Sequence, residues 1–279
     1  MKDFIKAFCH NKAAVVGLVV LVLIALGSIL APLIYPHSPW QMVGAPFLPP
    51  FTDSHLFGTD MLGRDIAAGV LYGARVSFLI GIVSTVVALS IGITVGATAG
   101  YFGGLVDDAL MRVTEFFQTI PSLIFAIVIV AIMQPSILSI VIAIAIVSWP
   151  PVARLVRAEF MSLRQREFVE ASRVLGMPGW RIMSFDILPN AMAPVIVTAS
   201  LMVATAILME SGLSFLGLGD PNLISWGYQI GAARTMIRTA WWMSFFPGVA
   251  IVITVLCLNL VGEGLNDALN PRIVRRKKA

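Results

Sequence analysis

The chain has 279 residues, of which 58% are hydrophobic and only 12% are charged, about half the charge of a soluble domain. Five stretches carry no Asp, Glu, Lys or Arg: 13–52, 76–106, 116–153, 187–209 and 239–262. This excludes an ordinary soluble domain and predicts an all-α membrane protein, because about 20 apolar residues cross a bilayer core. The basic residues flank these stretches and form no stripe interleaved with aromatics, so we expect the lipid bilayer and not nucleic acid as a partner.

The N-terminus begins with the charge pattern of a signal peptide. Lys2, Lys6 and Lys12 precede an apolar run from Ala13 to Ile34. The run is too long for the hydrophobic region of a signal peptide, so it is predicted to be an uncleaved first membrane helix. We divide the chain into 1–75, with this helix and the first external loop, and 76–279, a core transmembrane domain.

The next features concern the first external loop and the second span. His37 and His55 are expected to be solvated loop residues, although a metal importer could use such imidazoles. Four small positions in the second span allow close helix packing: Gly81, Gly92, Gly96 and Gly100. Asp107 and Asp108 are expected to lie in a solvated turn after this span.

The window 116–153 is too long for one span. As a single helix it would run about 57 Å. Gln134-Pro135-Ser136 near its middle is a turn signal and predicts a hairpin of two helices. Six transmembrane helices result.

The distribution of charge supports six spans with both termini in the cytoplasm. Of the 19 basic residues, only Arg64, Arg75, Arg234 and Arg238 then face outwards, as the positive-inside rule predicts. The inner set includes a C-terminal cluster formed by Arg272, Arg275, Arg276, Lys277 and Lys278. The segment 154–190 becomes a cytoplasmic loop.

This loop contains a predicted amphipathic helix. Phe168, Ala171, Ser172 and Leu175 share one helical face. Gly176 and Pro178 then form a helix-stop signal. A helix docked in a partner's groove and a helix lying on lipid are both compatible with this spacing.

The loop also carries a recognisable motif. Glu170-Ala171-Ser172, Gly176 and Ile187-Leu188-Pro189 resemble the EAA loop of permease subunits in binding-protein-dependent ABC importers. Ser172 replaces the usual second alanine, and Asp186 stands where the general pattern has an apolar residue. Three further segments are similar to the dipeptide, oligopeptide and nickel branch: 57–75, 213–227 and 259–272.

The resemblance implies a function and a set of partners. The expected coupling residues are Phe168, Glu170, Ala171, Ser172, Leu175, Gly176, Leu188 and Pro189. The expected partners are a second homologous permease, two ATPase subunits that bind ATP and Mg, and an extracytoplasmic binding protein. The location is the bacterial inner membrane. The expected cargo is a di- or oligopeptide, with nickel second and glutathione-like peptides third.

The sequence also argues against catalysis by this chain. It contains no G-x-x-x-x-G-K-[ST] phosphate loop, no H-E-x-x-H and no G-x-S-x-G. We therefore expect no catalytic residue, no metal site and no cofactor of its own. Glu210 ends a charge-free run and is interpreted as structural, as part of a gate or as a substrate contact. An ion-coupled secondary transporter, the alternative from another class, should show internal repeats with broken helices and intramembrane charges. Apart from Glu210, the sequence indicates neither.

Overall fold

The computed structural model describes residues 2–269, and the C-terminal basic cluster lies outside them. The described chain is almost entirely helical. Its helices are α1 (Lys2–His10), α2 (Lys12–Ile34), α3 (Ile66–Phe102), α4 (Gly104–Gln118), α5 (Ser122–Met133), α6 (Ile137–Leu163), α7 (Glu167–Val174), α8 (Gly179–Arg181), α9 (Leu188–Phe215), α10 (Trp226–Ala233) and α11 (Trp242–Leu269). A π-helical segment, Ile182–Ile187, joins α8 to α9.

Short polar side chains define where several helices begin. Asn11 caps α2 and Asp65 caps α3. Each side chain accepts a hydrogen bond from the backbone amide three residues further along the chain, at 3.2 and 3.0 Å. Ser136 and Ser225 do the same for α6 and α10. Each cap satisfies an amide that would otherwise lack a partner at the helix start.

Glycines allow α3 and α6 to pack closely along most of their length. A Cβ at Gly92 would lie 2.6 Å from the Cβ of Val152, and one at Gly100 would lie 2.6 Å from the Cβ of Phe160. Real Cβ atoms do not approach so closely, so only glycine fits. The predicted packing role of these glycines is confirmed.

Single contacts mark the two ends of the bundle. At one end, the Ile137 amide donates to Asp220 at 3.2 Å. At the other, Asn11 donates to Asp267 at 3.1 Å. Five stretches of the described residues are long and apolar enough to cross a membrane, and the bent pair α4 and α5 makes a sixth when it is counted as one. With six crossings, α2 begins and α11 finishes on the same side. The hairpin at Gln134-Pro135-Ser136 and the six-span fold are both confirmed.

The third crossing is broken, which the sequence analysis did not predict. It consists of α4 and α5, whose axes differ by 83°. The expected solvated turn at Asp107 is wrong. Asp107 is buried near the start of α4 and accepts hydrogen bonds from Arg157 Nε and Nη2 at 2.5 and 2.6 Å. This ion pair fixes the N-terminal end of α4 to α6, whereas Asp108 is exposed as expected.

The end of the bundle opposite α1 is formed by the segment 35–65 and by α10. The segment ends earlier than predicted, because the Asp65 cap starts α3 at Ile66. The solvated interpretation of His55 is also wrong, since its Nδ1 lies 2.7 Å from Asp65 Oδ2 and both side chains are almost buried. The segment between α9 and α11 turns into the bundle, so that Trp226 on α10 is fully buried.

Candidate functional site

The predicted amphipathic helix of the inner loop exists as α7. Val169 is fully buried and packs in a cluster with Val156 and Phe160 of α6 and with Ile182 and Ile187 of the π-helical segment. A single apolar anchor therefore fixes the orientation of α7 on the transmembrane bundle.

The opposite face of α7 is free of contacts with the rest of residues 2–269. Phe168 and Ala171 are exposed, and Leu175 is 77% exposed. Val174 is 82% exposed and extends this surface, although the sequence analysis left it out. Ser172, which was included, is half-buried and donates to the Phe168 carbonyl of its own helix. We call Phe168, Ala171, Val174 and Leu175 the α7 surface.

The end of α7 is held by a backbone motif. Gly176 has a φ of 73°, a conformation that favours glycine. The Gly176 amide donates to Arg173 O at 2.9 Å, and the Met177 amide donates to Ser172 O at 3.1 Å. This pair of bonds is the Schellman arrangement, and it turns the chain sharply away from α7, as predicted.

The remaining motif residues lie further along the same unit. Glu170 is exposed and lies 3.5 Å from Arg173 on the surface of α7. Leu188 packs at the edge of the cluster that contains Val169, while Pro189 occupies the first turn of α9. The loop is thus continuous with α9 and packs against the segment that leads into it.

Glu210 lies apart from this unit, near the outer end of α9. Its side chain is 1% exposed. Ser214 and Ser225 donate to Oε1 at 2.7 and 2.6 Å, and Ser211 lies 3.4 Å from Oε2. The carboxylate forms no salt bridge within residues 2–269. Because Ser225 also caps α10, Glu210 connects α9 to the inward-turned outer loop.

A match between this chain and a known protein family decides its family membership. A family described as "binding-protein-dependent transport system inner membrane component" matches residues 92–275. The chain belongs to this family. A second pattern, described as the N-terminal transmembrane domain of oligopeptide transport permease C, matches residues 1–54.

Relatives of this permease span nearly its whole length. It is 41% identical over 280 residues to the di/tripeptide transport system permease protein DppC of Pseudomonas aeruginosa (strain UCBPP-PA14), covering 98% of this chain and 92% of the relative. It is also 41% identical to the oligopeptide transport system permease protein OppC of Escherichia coli (strain K12), covering 97% and 91%.

Solved structures agree on the fold. The permease resembles a chain of the MetNI methionine ABC transporter with a TM-score of 0.58 and 20% identity, covering 75% of this chain and 95% of that one. A chain of an amino acid ABC transporter gives a TM-score of 0.56 at 15% identity, covering 72% and 94%. Together with the family match and the relatives, this fold identifies the protein as a multi-pass permease subunit of an ABC importer.

Proposed function

We propose that this permease forms half of the translocation pathway of an ATP-driven importer for di- or oligopeptides. The observation that carries the proposal is the identity of 41% over nearly the full length to permeases of di/tripeptide and oligopeptide systems. A second, homologous permease subunit supplies the other half, and an extracytoplasmic binding protein delivers the peptide.

The α7 surface is the proposed docking site for an ATPase subunit. It combines four apolar side chains with little contact to the rest of the chain, and exposed apolar patches mark interaction sites. The buried Val169 on the other side fixes α7 to the bundle, so α7 is a rigid element and not a loose loop. Two such ATPase subunits bind the ATP and Mg that this chain does not bind itself.

The orientation in the membrane follows from charge. The end of the bundle with α1 and α7 carries most of the basic residues, so both termini and 154–190 are placed in the cytoplasm. The segment 36–65 and α10 then face the binding protein. This arrangement puts the ATPase and the binding protein on opposite sides of the membrane, as an importer requires.

Substitutions on α7 test the coupling proposal. Ala171→Trp places a large side chain on the docked face, and overpacking a tight contact costs about 1–3 kcal/mol, or roughly one to two decades in association. Gly176→Val forces a β-branched residue to a φ of 73° and misdirects the turn. Both should abolish uptake and weaken pull-down of the ATPase while leaving pairing with the second permease intact.

Ser172→Ala is the matched control, because within residues 2–269 the Ser172 hydroxyl bonds only to its own helix. Its uptake should equal that of the wild type. Normal uptake in both bulky variants would show that α7 lies on lipid.

The cargo is tested by growth of a deletion strain. Cells lacking the permease should fail to use di- and tripeptides as an amino acid source. Nickel is the second candidate, and a defect confined to growth on limiting nickel would reject the peptide assignment.

A further inference from the structure

The N-terminal helix α1 is held beside the start of the first membrane helix. Only Asn11 separates α1 from α2, and the Asn11 side chain donates to Asp267, near the end of α11, at 3.1 Å. Apolar side chains of α2 are exposed from Val16 onward. Val16 follows Asn11 by five residues, or about 7.5 Å of helix. Helix α1 therefore lies at the level where the lipid-facing part of α2 begins.

One face of α1 packs against the bundle. Phe4, Ala7 and Phe8 are half-buried, and their spacing of three and four residues places them on one helical face. The ring of Phe8 lies 3.0 Å from the position that a Cβ of Gly264 on α11 would occupy. This contact determines which other faces of α1 are exposed.

The exposed part of α1 consists of an apolar stripe and a basic stripe. Ile5 is 54% exposed, and Cys9, four residues later, is also exposed. Lys6 and His10, again four residues apart, are exposed as well. Because successive residues turn by about 100°, the stripe of Ile5 and Cys9 lies between the face packed on α11 and the basic stripe.

Basic residues predominate around this exposed surface. Residues 1–12 contain three lysines and a single acidic residue, Asp3. Lys6 is exposed on α1, and Lys12 is exposed at the start of α2. Helices with lysine on the polar face and large apolar residues on the other lie in the interface of a membrane, where they are attracted to anionic lipids. The charge and the position of α1 both fit such a surface.

We propose that α1 binds the headgroups of anionic phospholipids at the membrane surface. Lys6 and Lys12 lie against the lipid phosphates, whereas Ile5 and Cys9 enter the boundary between headgroups and acyl chains. Lipids with a net negative charge, such as phosphatidylglycerol, complement the lysines. This binding holds the start of α2 at the membrane surface, and it depends neither on the cargo nor on the docking of α7.

Hydrogen exchange tests the contribution of charge. The assembled transporter is placed in nanodiscs of phosphatidylcholine, with or without phosphatidylglycerol. Each lysine near an anionic surface contributes about a factor of five. If α1 opens independently, its amides should therefore exchange about 25-fold more slowly with phosphatidylglycerol present, while amides of α3 should be unchanged. Both leaflets of a nanodisc have the same composition, so the result does not depend on the proposed orientation.

Two double variants distinguish charge from packing. Lys6→Gln with Lys12→Gln should remove the difference between the two nanodiscs, whereas Lys6→Arg with Lys12→Arg should keep it. The C-terminal basic cluster is the same in every variant and cancels in this comparison. Equal exchange of α1 in both nanodiscs would overturn the proposal, as would an effect of phosphatidylglycerol that persists in the glutamine variant.

Fluorescence quenching tests whether the apolar stripe enters lipid. A nitrobenzoxadiazole label is attached to Cys9 in a Cys257→Ala variant, and to Leu23→Cys after Cys9 and Cys257 are both replaced by alanine. Leu23 is 61% exposed and lies mid-way along α2. A nitroxide near the headgroup end of the acyl chain should quench the Cys9 label more strongly than a deep nitroxide, and the Leu23→Cys label should show the opposite order. No quenching at Cys9 by either lipid would place α1 against another protein and reject lipid binding.

Discussion

The hydrogen bonds around Glu210 predict how strongly α10 is held in place. Ser225→Ala removes two interactions with one oxygen atom. The Ser225 hydroxyl donates to Glu210 Oε1 at 2.6 Å and accepts from the Tyr228 amide at 3.0 Å as the cap of α10. A lost cap costs about 1 kcal/mol, and a buried carboxylate that loses a donor costs about 1–3 kcal/mol. The sum is about 2–4 kcal/mol for holding α10 in place.

Ser211→Ala is the matched control in the same cluster. Its hydroxyl lies 3.4 Å from Glu210 Oε2, longer than the usual hydroxyl bond of about 2.5–3.0 Å. It also has a partner of its own in the Ile207 carbonyl. We expect Ser211→Ala to cost less than about 1 kcal/mol.

Hydrogen exchange of the purified complex measures the difference locally. If α10 opens independently, its amides should exchange about 30- to 1,000-fold faster in Ser225→Ala, since about 1.4 kcal/mol corresponds to a factor of ten. Amides of α3 should be unchanged in both variants. Equal protection of α10 in Ser225→Ala and Ser211→Ala would show that the Glu210 cluster does not hold the outer loop.

Three further outcomes are expected. Glu210→Gln should keep most uptake, because its side-chain carbonyl still accepts from Ser214 and Ser225, whereas Glu210→Ala should lose it; loss in both would indicate that the charge itself serves transport. Asp107→Ala should destabilise the protein by about 1.5–3 kcal/mol through the lost bonds to Arg157, measured by denaturation against the exposed neighbour Asp108→Ala as the control. An impermeant maleimide applied to whole cells should label Gln41→Cys and miss Arg166→Cys, and the reverse pattern would invert the proposed orientation.

The elements that sequence predicted best are those with a local physical signal. The stop at Gly176 was predictable because a glycine two residues before a proline ends helices by its own backbone preferences. The turn at Gln134-Pro135-Ser136 was predictable for the same kind of reason. Packing of Gly92 and Gly100 against α6 followed from the spacing of small residues.

The misassigned residues depend on partners that are distant in the sequence. His55 was expected in solvent because nothing nearby in the sequence indicates that Asp65 lies 2.7 Å from its ring. The predicted set of exposed apolar residues on α7 was also incomplete. Val174 was left out because helical spacing gives the apolar face, whereas exposure depends on which side Val169 anchors to the bundle.

The third crossing shows why a search for charge-free stretches is incomplete in a transport protein. That search assumes that lipid surrounds every span, so it placed the start of this crossing after the charges at Asp108, Arg112 and Glu115. In the structure these residues belong to α4, and α4 is one half of the crossing. A helix that borders water can carry charge and can be interrupted, because water satisfies both the side chains and the free backbone. The charges that α4 carries are therefore the reason that charge-free stretches alone did not reveal this helix.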